Sequence, residues 1–387
     1  MRRGMRGAIA GVLLLLPCLA SADGAWLAEE PDGGVGTKGL ACDIGAAADG
    51  RLHASYWANG YLCYALGRPR AWTIERVASL TDLEDHWSDI EVGPDGAPQI
   101  VYYDHGFGGI RYAYRAVEGW QTEPLQPGRA AEQPYSGVYH PQQLVVTSDG
   151  TPHVPYLDSA GLHHAWRENG QWLSELVRAK GRSNWPANAA IFAMANDELH
   201  IVYTIYQSFP PGISSVMHAR WSGGVWHSVE IPRVDMYTLP CFGLDSVARL
   251  HGAYKRHAQT DDPTTGMWGQ WEDDAGWHTG PIDLRQGLGI YCSLEIDSAD
   301  SPHIAYYNYR QRALQYGWYD GTFWRLATAD SDGEVGEYCS LVLVDDWPYI
   351  AHYDETHQAL KLTWQDGNGW HDDWIDLGGD LADYASI

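Results

Sequence analysis

Short runs of apolar residues, each bounded by Gly, Asp, Asn or Pro, follow one another along this chain, and no stretch sustains a helical period. One such run recurs with small changes. Its copies are Leu52-His53-Ala54-Ser55-Tyr56, Gln99-Ile100-Val101-Tyr102-Tyr103-Asp104, His153-Val154-Pro155-Tyr156, His200-Ile201-Val202-Tyr203, His251-Gly252-Ala253-Tyr254, His303-Ile304-Ala305-Tyr306-Tyr307 and Tyr349-Ile350-Ala351-His352-Tyr353, spaced 46 to 54 residues apart. A tryptophan after a polar or Gly-rich turn keeps step with it: Trp72, Trp120, Trp172, Trp226, Trp277, Trp324 and Trp370. Two markers in phase define seven copies of one unit.

Each unit resolves into four short strands. In the sixth copy they are predicted at Tyr291–Asp297, His303–Asn308, Ala313–Tyr319 and Phe323–Ala329, with Asp320-Gly321 as a hairpin turn; Asp366-Gly367 and Asn169-Gly170 repeat that signal. Seven four-stranded units close most naturally as a seven-bladed β-propeller of antiparallel blades, an all-β fold, over an array of β-sandwiches. Repetition is what architecture produces. His53, His153, His200, His251 and His303 therefore read as structural, and the seven tryptophans as wedges between blades.

Composition then narrows the class. Gly (43), Trp (19) and Tyr (24) are abundant, charged residues make up 19%, and the formal net charge is −25, which excludes a protein built to hold a nucleic-acid backbone. Residues 1–22 read as a signal peptide: Arg2, Arg3 and Arg6 precede the apolar run Ala8–Leu16, and Ala20-Ser21-Ala22 offers a cleavage site. Residues 23–387 form the single propeller domain, exported to the periplasm or the medium, with no membrane span and a monomer expected. How the ring closes has two solutions. Ala25–Glu30, in phase through Trp26, adds an outer strand to blade seven, or Trp370–Asp376 is displaced.

Export also frames the cysteines. Cys42, Cys241, Cys292 and Cys339 share one repeat position, 10 or 11 residues before the second-strand marker, which puts them on innermost strands of blades one, five, six and seven. Disulfides Cys42–Cys339 and Cys241–Cys292 are expected with Cys63 left free; Cys292–Cys339 is an equally legal pairing. The rival is a soft-metal thiolate cluster, so a structural metal ion is an open alternative although no cofactor is expected.

The turn-then-tryptophan elements Asp320-Gly321-Thr322-Phe323-Trp324 and Asp366-Gly367-Asn368-Gly369-Trp370 resemble a degenerate Asp-box, or BNR repeat. The mature chain is thus similar to secreted sialidase-like propellers. That group includes sialidases, polysaccharide lyases and lectins, and the resemblance brings over no catalytic residue.

Chemistry is sought where the copies differ. Long insertions fall at Gln126–His140, Arg178–Trp185, Ile205–Ser215 and Lys255–Met267, all on one face. That rim gathers Arg129, Arg178, Lys180, Arg182, Lys255 and Arg256, with Arg310 and Arg312 beside it, and the flat rings of Tyr135, Tyr139, Trp185 and Tyr206. His86 and His140, just before innermost strands, are expected to ring the channel mouth, and His105, His257 and His357 to sit in loops after the second strand on the same face. The ligand-binding candidates are Arg182, Trp185, Lys255, Arg256, Tyr291 and Tyr338; the catalytic candidates are His86, His140, His257 and Tyr139. The expected partner is a glycan, anionic by virtue of the basic rim. A lyase or hydrolase of acidic polysaccharides and a protein-interaction scaffold are the alternatives.

Overall fold

The computed structural model describes residues 38–79, 87–104, 106–125, 143–208, 211–232, 241–256, 266–285 and 288–376. All lie within the compact unit Gly34–Ile387. The segments expected to be a signal peptide and a strand around Trp26 lie outside the described residues.

Seven sheets of four antiparallel strands, each in simple sequential order, form the ring of a seven-bladed β-propeller. The innermost strands are Lys38–Ala46, Ser88–Val92, Val145–Val146, Asn184–Ala193, Cys241–Leu244, Leu288–Ile296 and Val335–Val344. In blade six the other strands are Pro302–Asn308, Ala313–Tyr319 and Trp324–Asp330, within a residue of expectation. Gly369–Asp376 pairs with Ala359–Asp366 as the fourth strand of blade seven, so it is not displaced.

Turn chemistry follows the sequence with one correction. Asn169 and Gly170 both take positive φ, 51° and 75°. At Asp320-Gly321 only the glycine does (86°), and Asp366-Gly367 is not left-handed at either residue. There the aspartate makes the turn instead, its carboxylate accepting the N–H groups of Thr322 and Phe323, or that of Asn368. The insertion Ile205–Ser215 is likewise not irregular. Ile205 pairs with Ser215 and Ser208 with Pro211, which makes it the tip of a long hairpin, Leu199–Ser208 with Pro211–Ser222.

The middle strands bury both faces. Tyr56, Tyr203, Tyr254 and Tyr306 are at most 1% exposed, and His53, His200 and His303 lie among them. Their rings are tied to the third strand: His53 Nδ1 lies 2.8 Å from Tyr64 Oη, His153 Nδ1 2.9 Å from His164 Nε2, and His200 Nδ1 2.9 Å from His218 Nε2. Burial holds the pKa of His53, His153 and His200 down to about 4 and that of His218 to about 3. Near neutral pH these imidazoles are uncharged packing groups.

Two sets of polar contacts join blade to blade. On the outside, the indole N–H of Trp120 donates to Glu75 (3.0 Å), Trp172 to Glu123 (2.8 Å), Trp226 to Glu175 (2.9 Å) and Trp72 to Asp373 (3.2 Å). Each carboxylate belongs to the blade before, so the last of these closes blade seven on blade one. On the inside, Asp43 accepts the N–H of Ile90 (2.8 Å), Asp89 that of Leu144 (3.0 Å), Ser340 that of Ile44 (3.3 Å) and Ser293 that of Leu341 (3.0 Å). At the same inner register blades four and five carry Ala190 and Cys241, which cannot extend the belt in this way.

Candidate functional site

The innermost strands enclose a central cavity of about 680 Å³, within the range of small-molecule sites. Its wall near the first-strand entrance is shaped by one recurring irregularity. Strand pairing gains one extra residue on the inner strand in blade four and two in blades one, six and seven, and in blades four, six and seven a residue of such a step is left-handed: Asn188 (φ 45°), Tyr291 (53°) and Tyr338 (52°). Such a φ is strained for a tyrosine. It persists because neighbours hold it: Gly336 adopts φ 110° where a Cβ would lie 2.8 Å from Leu314 Cα, letting the start of this strand lie tight against blade six.

The bulges turn Tyr291 and Tyr338 toward the cavity and bring their rings together, centroids 4.4 Å apart. Tyr307 adjoins Tyr291 at 6.3 Å and Tyr353 adjoins Tyr338 at 6.4 Å. A continuous row of aromatic rings thus spans blades six and seven. Glu337, next to Tyr338, is half-buried among them; desolvation and the Glu355 charge push its pKa up to about 7. Its proton is therefore exchangeable near neutrality.

Deeper in the cavity the ionisable groups are carboxyls. Asp43 is half-buried beside buried Asp89; desolvation raises the pKa of both, and the Asp43 charge raises Asp89 further. Asp43 also accepts from Ser340 Oγ at 2.6 Å. Burial, with Glu91 and Asp43 adding repulsion, pushes Glu295 to about 8.

The cysteines sit on this wall as expected, but as free thiols. Instead of bridging, each of the four donates to a backbone carbonyl: Cys42 to Tyr338 (3.1 Å), Cys339 to Tyr291 (2.8 Å), and Cys241 and Cys292 to the shared Ala253 (3.6 and 3.8 Å). The tyrosine bulges present those first two carbonyls, which gives the thiols a partner other than one another. Cys63 is buried and free. No group of three or more His, Cys, Asp or Glu fit to hold a metal is found among the described residues.

The sequence-expected site residues divide. Tyr291 and Tyr338 meet at the cavity. Trp185 stacks obliquely on Tyr206, 5.3 Å between centroids, and Arg182 is exposed in the loop before it. Arg256 lies 4.6 Å over the Trp268 ring and Lys255 5.3 Å from that of Tyr309, both engaged in cation–π contacts. Arg312 pairs with Glu334, and His357 lies 3.1 Å from Asp354. His86, His140, His257 and Tyr139 lie outside the described residues, as do His105, Arg129 and Tyr135. Sequence reading missed Glu337, Glu295 and the Asp43–Asp89 pair. The signal was the repeated tripeptide Tyr291-Cys292-Ser293 and Tyr338-Cys339-Ser340, whose flanking acids mark the same wall.

No family model and no curated protein matches this sequence. Among solved structures, the polysaccharide lyase Uly1 superposes with a TM-score of 0.52 at 10% identity, over 86% of this chain and 90% of its own. AofleA from Arthrobotrys oligospora gives 0.50 at 14% identity, over 76% and 90%. The β-propeller domain of the Trilobed protease from Pyrococcus furiosus gives 0.50 at 9% identity, over 86% and 97%. At such identities the likeness is one of fold.

Proposed function

We propose that this protein is an exported glycan-recognising propeller whose ligand seats on the tyrosine row at the mouth of the central cavity. One observation carries the reading. Tyr291 and Tyr338 are held by strained backbone with their rings at a cavity of sugar-binding size, beside a carboxyl able to accept or donate a hydrogen bond. Flat aromatic faces fit the C–H faces of sugar rings. The fold shared with a polysaccharide lyase and the Asp-box resemblance of the Asp320 and Asp366 turns agree with this reading.

A glycan array probed with the mature chain tests it. Retention of a glycan by the wild type, with at least a tenfold loss in Tyr338→Ala, supports the site. Retention unchanged in Tyr338→Ala and Tyr291→Ala places binding elsewhere. N-terminal sequencing of the exported protein checks the leader, with a start near Asp23 expected.

Catalysis is the second reading, favoured by Glu337, a carboxyl titrating near neutrality beside Tyr307 and Tyr353. Incubation with polysaccharides discriminates the two. New reducing ends or an ultraviolet-absorbing unsaturated product, lost in Glu337→Gln, mean cleavage; binding without product means a lectin.

A further inference from the structure

Resting on that reading, we infer the class of the ligand: an acidic glycan, with its carboxylate or sulfate ester seated on Lys255 and an uncharged neighbouring unit on the tyrosine row.

Strand register places Lys255 at the end of that row. Tyr307 and Tyr353 each pair with the second residue of their blade's third strand, Leu314 and Leu360. In blade five the same place, opposite Met267, is held by Lys255. The station that is aromatic in blades six and seven is thus a cation in blade five. Lys255 leans across the seam onto blade six, its Nζ 5.3 Å from the centroid of Tyr309, two residues beyond Tyr307.

Nothing in the protein answers this charge. Lys255 is half-buried and has no hydrogen-bond acceptor or carboxylate among the described residues; desolvation lowers its pKa with no acid acting against it. Arg256, next along the strand, lies 4.6 Å over Trp268 and is equally without an acid. A ring beneath a cation leaves its charge whole and most of its donors free. Other cations are treated differently. Arg285 and Arg312, on the same face, pair with Asp283 and Glu334. Arg51, Arg115, Arg167, Arg220, Arg249 and Arg325, toward the opposite face, each pair with a carboxylate. Two adjacent cations left unpaired in a partly desolvated place are set for an anion from outside.

The far end of the row has the opposite sign. Glu337 pairs with Tyr353 across the strands of blade seven, and the Glu355 charge acts on it there. An acid group is therefore attracted over blade five and repelled over blade seven. That asymmetry orders the ligand: the acidic unit on Lys255, the uncharged one on Tyr291 and Tyr338.

Calorimetry on the mature chain at pH 8 compares four hexasaccharides. They are unsulfated chondroitin, in which glucuronate alternates with N-acetylgalactosamine; the same oligomer with its carboxyls reduced to alcohols; chondroitin 6-sulfate; and galacturonate. Chondroitin is expected to bind at least tenfold more tightly than its reduced form, by a margin that shrinks as salt rises, and more tightly than galacturonate. In Lys255→Gln the margin should fall below threefold. Lys255→Arg should restore it, which a mere loss of packing would not allow. A further gain from sulfate that depends on Lys255 assigns the sulfate ester; its absence assigns the carboxylate. Equal or tighter binding of the reduced or galacturonate oligomer overturns the inference, as does an undiminished margin in Lys255→Gln. If none of the four binds while the array retains another glycan at Tyr338, the anion subsite fails and the tyrosine site stands. If the array retains nothing, both fall.

Discussion

The ring is held differently on its two sides. From blade seven through one, two and three to four, every seam carries a tryptophan clasped by a carboxylate of the preceding blade, at Asp373, Glu75, Glu123 and Glu175. At the matching register blades four, five and six offer Val229, Gly280 and Ala327 to Trp277, Trp324 and Trp370. The inner belt has its gap at Ala190 and Cys241, on the same side. What joins this second arc lies elsewhere: Ser246 clasps Asp300 and Ser298 clasps Asp346 in the turns of the opposite face, and Gln270 donates to the Pro232 carbonyl. Identical outlines thus conceal unequal fastening. The arc without tryptophan clasps includes blade six, which carries half the tyrosine row and is fastened instead by buried pairs, Tyr306 donating to Asp283 (2.7 Å) and Lys361 lying 2.7 Å from Asp330.

The largest test of that contrast is Glu123→Ala. It strands the Arg167 guanidinium, bonded at 2.7 Å, together with the Trp172 indole. A loss of about 2 kcal/mol is expected in urea melts, against less than about 0.5 kcal/mol for Val229→Ala at the equivalent place. Equal losses would dissolve the distinction.

Glu295→Gln comes next and depends on pH. Burial raises this carboxyl to about 8, so the native state holds a proton that the unfolded chain releases from about pH 4.5 upward. Wild-type stability therefore falls between those values and stays reduced above pH 8. The Gln variant should gain about 1–2 kcal/mol at pH 9 and nothing at pH 4, read from melts at both. A gain independent of pH would mean that packing rather than charge is responsible.

The smallest effect transplants a clasp. Val229→Glu gives Trp277 the acceptor that Glu175 gives Trp226, and about 0.5–1 kcal/mol of added stability is expected. No change would show that the tryptophans of the second arc are oriented without need of an acceptor.

The architecture was legible in the sequence because period is legible. His53, His200 and His303 fell into step, and they are the buried, neutral packing groups that step implies. The tyrosine pair was visible for the same reason, since Tyr291 and Tyr338 each precede a repeat-position cysteine. Side-chain partnership was not visible. Cys42 and Cys339 stand on adjacent inner strands as spacing requires, yet whether a thiol meets another thiol or a carbonyl is decided by the local φ of the preceding tyrosine. The basic rim is a related case: counting Lys255 and Arg256 says nothing of the rings beneath them. Glu337 and Glu295 look in sequence like any other acids, and only enclosure sets them apart.

The two extra residues on the inner strand of blade seven have a consequence for how this molecule can vary. A strand shows alternate residues to opposite sides, so one inserted position reverses the parity of everything beyond it. Removing residue 338 alone would exchange the aspects of Gly336 and Glu337 while leaving the belt at Ser340 and Leu341 undisturbed. The entrance and the shaft can therefore drift independently, and kindred chains could acquire new appetites by a single-codon gain or loss without renegotiating the closure of the wheel.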